Sequence, residues 1–75
     1  MAYEEVYLEE AQEFLTLGQF LKYIGLIGTG GQAKFFLQET PVFLNGELED
    51  RRGKKLLPED QVVIEGQGAY VIKKA

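Results

Sequence analysis

The chain contains no His, Cys, Ser or Trp. Without thiols and imidazoles it lacks the commonest zinc ligands, and without Ser, Cys and His it lacks the usual nucleophile–base pairs. Carboxylates, Lys, Tyr and Thr remain for proton transfer, a set that argues against an enzyme and implies no metal and no cofactor. With no Cys, no disulfide staples the fold, which suits a reduced, cytoplasmic setting. No apolar run exceeds four residues, so no membrane span is expected. The first residues lack the cationic start and apolar core of a secretory signal. Internal repeats and low-complexity tracts are also missing.

What is present is enough for one modest core. The 75 residues are 45% hydrophobic, and a single domain over 1–75 is expected. The net charge is −4, but its distribution is uneven. Residues 1–21 hold Glu4, Glu5, Glu9, Glu10 and Glu13 and no base. Residues 22–75 hold eight Lys/Arg against seven Asp/Glu. Binding responds to the local field within a Debye length of roughly 8–10 Å, so a cationic patch can act on an acidic chain.

Two segments carry helix-start signals. Thr16-Leu17-Gly18-Gln19 and Thr29-Gly30-Gly31-Gln32 each place Thr at an N-cap and Gln three residues on, the spacing of a capping box. Leu17, Phe20, Leu21 and Ile24 share one helical face, so helix one is predicted from Leu17 to about Ile24, with Gly25 at its left-handed end. Helix two is predicted from Gly30 to about Glu39, with Ala33, Phe36 and Leu37 buried and Phe35 partly exposed. Thr40-Pro41 stops it. Val42-Phe43-Leu44 is a strand, Asn45-Gly46 a hairpin turn, and Glu47–Asp50 the return. Arg51-Arg52-Gly53-Lys54-Lys55 is a polar ribbon with a turn or bulge at Gly53. Residues 56–60 form a turn, Gln61–Glu65 a strand, Gly66-Gln67-Gly68 a turn and Ala69–Lys73 the last strand. Residues 5–8 and 12–15 are expected to be extended, with Ala69–Lys73 as their partner.

The order of these pieces resembles the S-four RNA-binding domain, also called the alpha-L motif. The resemblance is carried by Leu17-Gly18-Gln19-Phe20-Leu21, Thr29-Gly30-Gly31-Gln32-Ala33-Lys34, Val42-Phe43-Leu44-Asn45-Gly46 and Leu57-Pro58-Glu59-Asp60-Gln61-Val62-Val63. Together with the basic run, Thr29–Leu37 is most similar to small stand-alone bacterial YaaA-type proteins. The resemblance implies an α+β fold: two packed helices against a small, mainly antiparallel sheet with a hairpin. It implies a core motif over 16–64, to which the residue pattern adds terminal strands in 1–15 and 66–75. It also implies non-catalytic binding of structured RNA, ribosomal or transfer, and contact with ribosomal particles. The contact residues it implies are Thr29, Gln32 and Lys34, with Arg51, Arg52, Lys54 and Lys55; Gly30 and Gly31 join the candidate set because they would let a phosphate reach the helix start, and Phe35 as a stacking ring. Many family members carry basic residues where this chain has Thr16, Gly30, Pro41, Phe43 and Glu47. Those departures support an alternative, a protein-interaction module on the same scaffold with weak or no RNA affinity. The oligomeric state is not legible.

Each candidate has a plainer reading. Gly28-Thr29-Gly30-Gly31-Gln32-Ala33 matches a dinucleotide fingerprint in letters, but a helix and not a strand precedes it. Its other readings are a tight loop with an N-cap, or glycines that let a phosphate reach backbone N–H groups. The basic ribbon can be a solvated turn neutralised by Glu47, Glu49 and Asp50. Lys34 can be an ordinary surface residue. Phe35 either stacks on an unpaired base or flanks the core against the N-terminal segment. Lys73 and Lys74 read as a solvated tail. Glu4-Glu5, Glu9-Glu10 and Glu59-Asp60 read as surface charge.

Overall fold

The computed structural model describes residues 3–74. The chain runs through β1 (Glu4–Leu8), β2 (Leu15–Thr16), α1 (Leu17–Tyr23), a 3-10 turn (Gly30–Gln32) and α2 (Ala33–Glu39). It continues through β3 (Val42–Leu44), β4 (Glu47–Leu48), β5 (Lys55–Leu56), β6 (Gln61–Ile64) and β7 (Gly68–Lys74). The main sheet has the order β1-β7-β6-β3-β4, and β2 and β5 form a separate two-stranded ladder. β1 lies parallel to β7, while the other pairs are antiparallel. This is the expected α+β arrangement, with the N-terminal and C-terminal strands paired as anticipated. Residues 1, 2 and 75 of the two terminal segments lie outside the described residues.

The period-two pattern of the strands separates two faces. Val6, Leu8, Val42, Val62, Ile64 and Ile72 point to one side and are buried with Leu17, Phe20, Leu21, Ala33 and Leu37 of the helices. Phe20 meets Tyr70 edge to face, with centroids 5.3 Å apart and planes at 81°. The opposite sheet face carries Phe43, paired to Leu48 on one side and Val63 on the other. Asn45 (φ 51°) and Gly46 (φ 87°) both take positive φ, as the primed hairpin turn requires.

Several expectations shift. The stretch 12–15 is not extended throughout: Gln12 N–H donates to Glu9 O at 2.9 Å, closing a turn, and only Leu15–Thr16 forms a strand. The basic run does not end in a turn at Leu56. Lys55–Leu56 pairs with β2, because Leu56 supplies a fully buried side chain. The first turn of helix two is 3-10, and α geometry begins at Ala33, the first residue of that helix buried against α1. Gly68 belongs to β7, not to the preceding turn. Nor are Lys73 and Lys74 a tail. Lys73 pairs with Glu59 at 3.0 Å, and the Lys74 ammonium donates to the carbonyls of Glu10 and Gln12, pinning the first turn to the last strand.

Candidate functional site

The start of α1 organises the site. The first N–H groups of a helix have no partner within it. Here Leu17 N–H donates to Lys54 O and Gly18 N–H to Arg52 O, both at 2.8 Å. Gln19 N–H donates to Thr16 Oγ1 at 3.2 Å, and Thr16 N–H to Gln19 Oε1 at 3.0 Å, completing the expected capping box. Lys54 N–H donates to Arg51 O at 3.1 Å, which closes residues 51–54 as a tight turn. The basic run is thus a loop locked by its own backbone onto a helix end.

Gly18 makes this approach possible. A Cβ there would lie 3.3 Å from Arg52 O, 3.5 Å from Arg52 Cβ and 3.6 Å from Ala33 Cβ. Gly18 is therefore where α1, α2 and the basic loop converge. Gly18→Ala should be near neutral, since up to ~1 kcal/mol of helix propensity offsets the tight contact. Gly18→Val adds methyls against backbone and should cost about 1–3 kcal/mol in a denaturant melt.

At the second capping signal the Gln half forms. Gln32 Oε1 accepts from Gly28 N–H at 2.6 Å and Thr29 N–H at 3.3 Å. Gln32 therefore orders the interhelical loop with its carbonyl oxygen. Nothing lies within 4 Å of where a Gly30 Cβ would stand. Gly30 faces the basic loop across an open groove of about 330 Å³ lined by Thr16, Gly18, Gln19, Gly30, Arg52 and Gly53. A second recess of about 410 Å³, lined by Arg51, Gly53, Lys54 and Lys55, shares Gly53 with it.

The fold thus brings Gly30 and Arg52 to one groove, with Lys54 and Lys55 beside it. Thr29, Gly31 and Gln32 belong to the same loop as Gly30. Lys34 and Phe35 sit on α2 outside the groove lining, and both are exposed. Phe35 is 67% exposed, so it does not flank the core. Gly18 and Gln19 line the groove but were absent from the expected set. Glycine in the first turn of a helix runs against propensity, and that was the available signal of a close approach.

The four cations of the loop are not equivalent. Arg51 forms a fork with Glu49: Nε to Oε2 at 3.0 Å and Nη2 to Oε1 at 3.3 Å, with its backbone N–H to Oε2 at 3.1 Å. Lys55 stands over the Phe14 ring, 4.8 Å from its centroid. Arg52 and Lys54 have neither an ion pair nor a side-chain hydrogen bond among the described residues. Neutralisation by a neighbouring carboxylate, the plainer reading of the run, holds for Arg51, and the half-buried Lys54, though without an ion pair among the described residues, also lies in the field of Glu49. No group of three or more acidic side chains suited to a metal occurs among the described residues.

The shifted titrations lead away from neutrality. Hydrogen bonding to Arg51 holds the Glu49 carboxyl below its ordinary range, and Glu49 raises Arg51 in turn. Hydrogen bonding to Glu59 raises Lys73, and a hydrogen bond to Glu5 raises Tyr7. A carboxyl lowered on folding stabilises fully above its unfolded pKa, about 4.3, and that contribution fades as pH falls through the folded value. The raised cations contribute below their unfolded values and lose that contribution only as pH rises through the folded ones. With no His in the chain, the thermal midpoint should be flat from about pH 6 to 7 and fall below about pH 4.5. Calorimetry across that range checks it.

Comparison with known proteins agrees with this architecture. The family model described as the S4 domain matches residues 7–73. The "Probable ribosome maturation protein RlbA" of Bacillus subtilis (strain 168) is 50% identical over 60 residues, spanning 80% of this chain and 84% of that protein. The match reaches from β1 to β7 and includes the helix pair, the hairpin and the basic loop, so this chain belongs to the S4 domain family.

Proposed function

We propose that this chain is a single RNA-binding domain that holds structured RNA without catalysing a reaction on it, in the cytoplasm and during ribosome maturation. Membership of the S4 family supports the reading, and the name of the Bacillus relative favours ribosomal RNA or a ribosomal particle over transfer RNA. One observation carries it. The loop backbone is locked to the start of α1, while the Arg52 and Lys54 side chains make no ion pair among the described residues, beside an open groove. Phosphates would meet Arg52 and Lys54, with Gly30 and Gly31 letting the RNA backbone come close. Lys55 flanks this grip. Lys34 and Phe35 extend it along α2, Phe35 by stacking on an unpaired base. Helical RNA would be read by shape rather than by sequence.

Filter binding to a structured ribosomal RNA fragment over a salt series tests this. Two to four phosphate contacts give a log–log slope of roughly −1.5 to −3.5. No retention at low salt, or a slope near zero, would overturn the reading.

A second reading, a protein-interaction module, is favoured by the sheet face opposite the helices. There Leu48, 66% exposed, stands beside the half-buried Phe43, whose other neighbour is the half-buried Val63. Mapping the bound surface separates the two readings.

A further inference from the structure

We infer that Glu49 fastens the basic loop through Arg51, so that Arg51 is a positioning residue and the ligand-facing cations of the loop are Arg52 and Lys54. The second half of this rests on the RNA-binding reading; the fastening does not. Glu49 is the fixed partner. Its backbone N–H donates to Val42 O at 2.8 Å, which ties it to the start of β3. Its side chain is 11% exposed, against 70% for that of Arg51. Both carboxylate oxygens are engaged by Arg51, one by Nη2 and the other by Nε and the backbone N–H together. A planar guanidinium clasped in this way is held in direction as well as in distance.

The consequence runs along the chain. Arg51 O accepts the Lys54 N–H that closes the turn, and the Arg52 and Lys54 carbonyls then cap Gly18 and Leu17. A continuous path joins β3, Glu49, Arg51, the turn and the start of α1. The fastening sets where the two unpaired cations stand before any ligand arrives. Arg51, by contrast, would have to break its fork to meet a phosphate.

Charge counting and fastening predict opposite signs. Glu49→Gln removes a negative charge beside the loop and frees Arg51, so simple electrostatics predicts tighter RNA binding. Fastening predicts weaker binding by about three- to tenfold, because the loop side chains must then be ordered on contact. Arg51→Lys keeps the charge but loses the fork, so it should weaken binding as much as Arg51→Gln does. The salt slope of Arg51→Gln should stay at the wild-type value. Arg52→Gln and Lys54→Gln should each flatten it by roughly 0.7–0.9.

Amide hydrogen exchange without RNA tests the fastening by itself. Leu17 and Gly18 amides should exchange about tenfold faster in Glu49→Gln, as local opening of their caps becomes easier. Val62 and Ile72 amides report whether the fold is intact. The proposal is overturned if Glu49→Gln binds RNA as well as wild type or better, if Arg51→Gln flattens the slope, or if the two cap amides keep their protection. Wild-type protein that fails to bind RNA removes the ligand-facing role of Arg52 and Lys54 along with the proposed function, and the exchange result still decides the fastening.

Discussion

Arg52→Glu/Lys54→Glu is expected to lower affinity for structured RNA by about 10²–10⁴-fold, measured at one fixed salt concentration. Each reversal removes a charge-assisted contact worth about 1.5–3 kcal/mol and sets a carboxylate against a phosphate. The fold should survive. Neither side chain forms an ion pair or a hydrogen bond among the described residues, and what the loop gives to α1 is its carbonyls. An unchanged thermal midpoint beside the lost affinity would separate grip from stability. Equal binding by wild type and variant would remove the loop from the interface.

Phe20→Ala should be the most damaging single truncation. Phe20 has no exposed surface and contacts Tyr70 edge to face. Emptying that volume costs about 3–5 kcal/mol. A domain of 75 residues has roughly 4–11 kcal/mol in total, so much of its stability would go. The thermal midpoint should fall by at least about 12 °C. Phe35→Ala is the contrast. That ring is 67% exposed, so stability should stay within about 0.5 kcal/mol of wild type. RNA affinity should fall only if the ring stacks on a base, an interaction worth about 1–3 kcal/mol. The two aromatics thus separate core from surface on neighbouring helices.

Both helices and the hairpin were legible because their signals are local. Thr16 and Gln19 lie within one turn of each other, and Asn45-Gly46 needs only its own backbone angles. The resemblance supplied the packing of the two helices against the sheet, and the tendency of terminal strands to pair supplied the match of the N-terminal strand with the last one. What failed to show was set by contacts between distant parts. Leu56 became a strand residue because Leu15, far away in the chain, offered a partner and a buried position. Lys74 was pinned by carbonyls more than sixty residues earlier. The same limit applies at the site. The basic run was visible, but which of its cations stays unpaired depends on the rotamer that Glu49 imposes on Arg51. Gly18 and Gln19 joined the groove only once the loop had folded back over α1.

The bound surface itself can be observed by nuclear magnetic resonance, titrating a structured ribosomal RNA fragment into the labelled protein and following backbone amides. Shifts should concentrate at Gly18, Gln19, Gly30, Gly31, Arg52, Gly53 and Lys54, while Phe43, Leu48 and Val63 on the far side of the sheet stay still. Shifts confined to that far side, or none at saturating RNA in low salt, would contradict an RNA-binding groove at the start of α1.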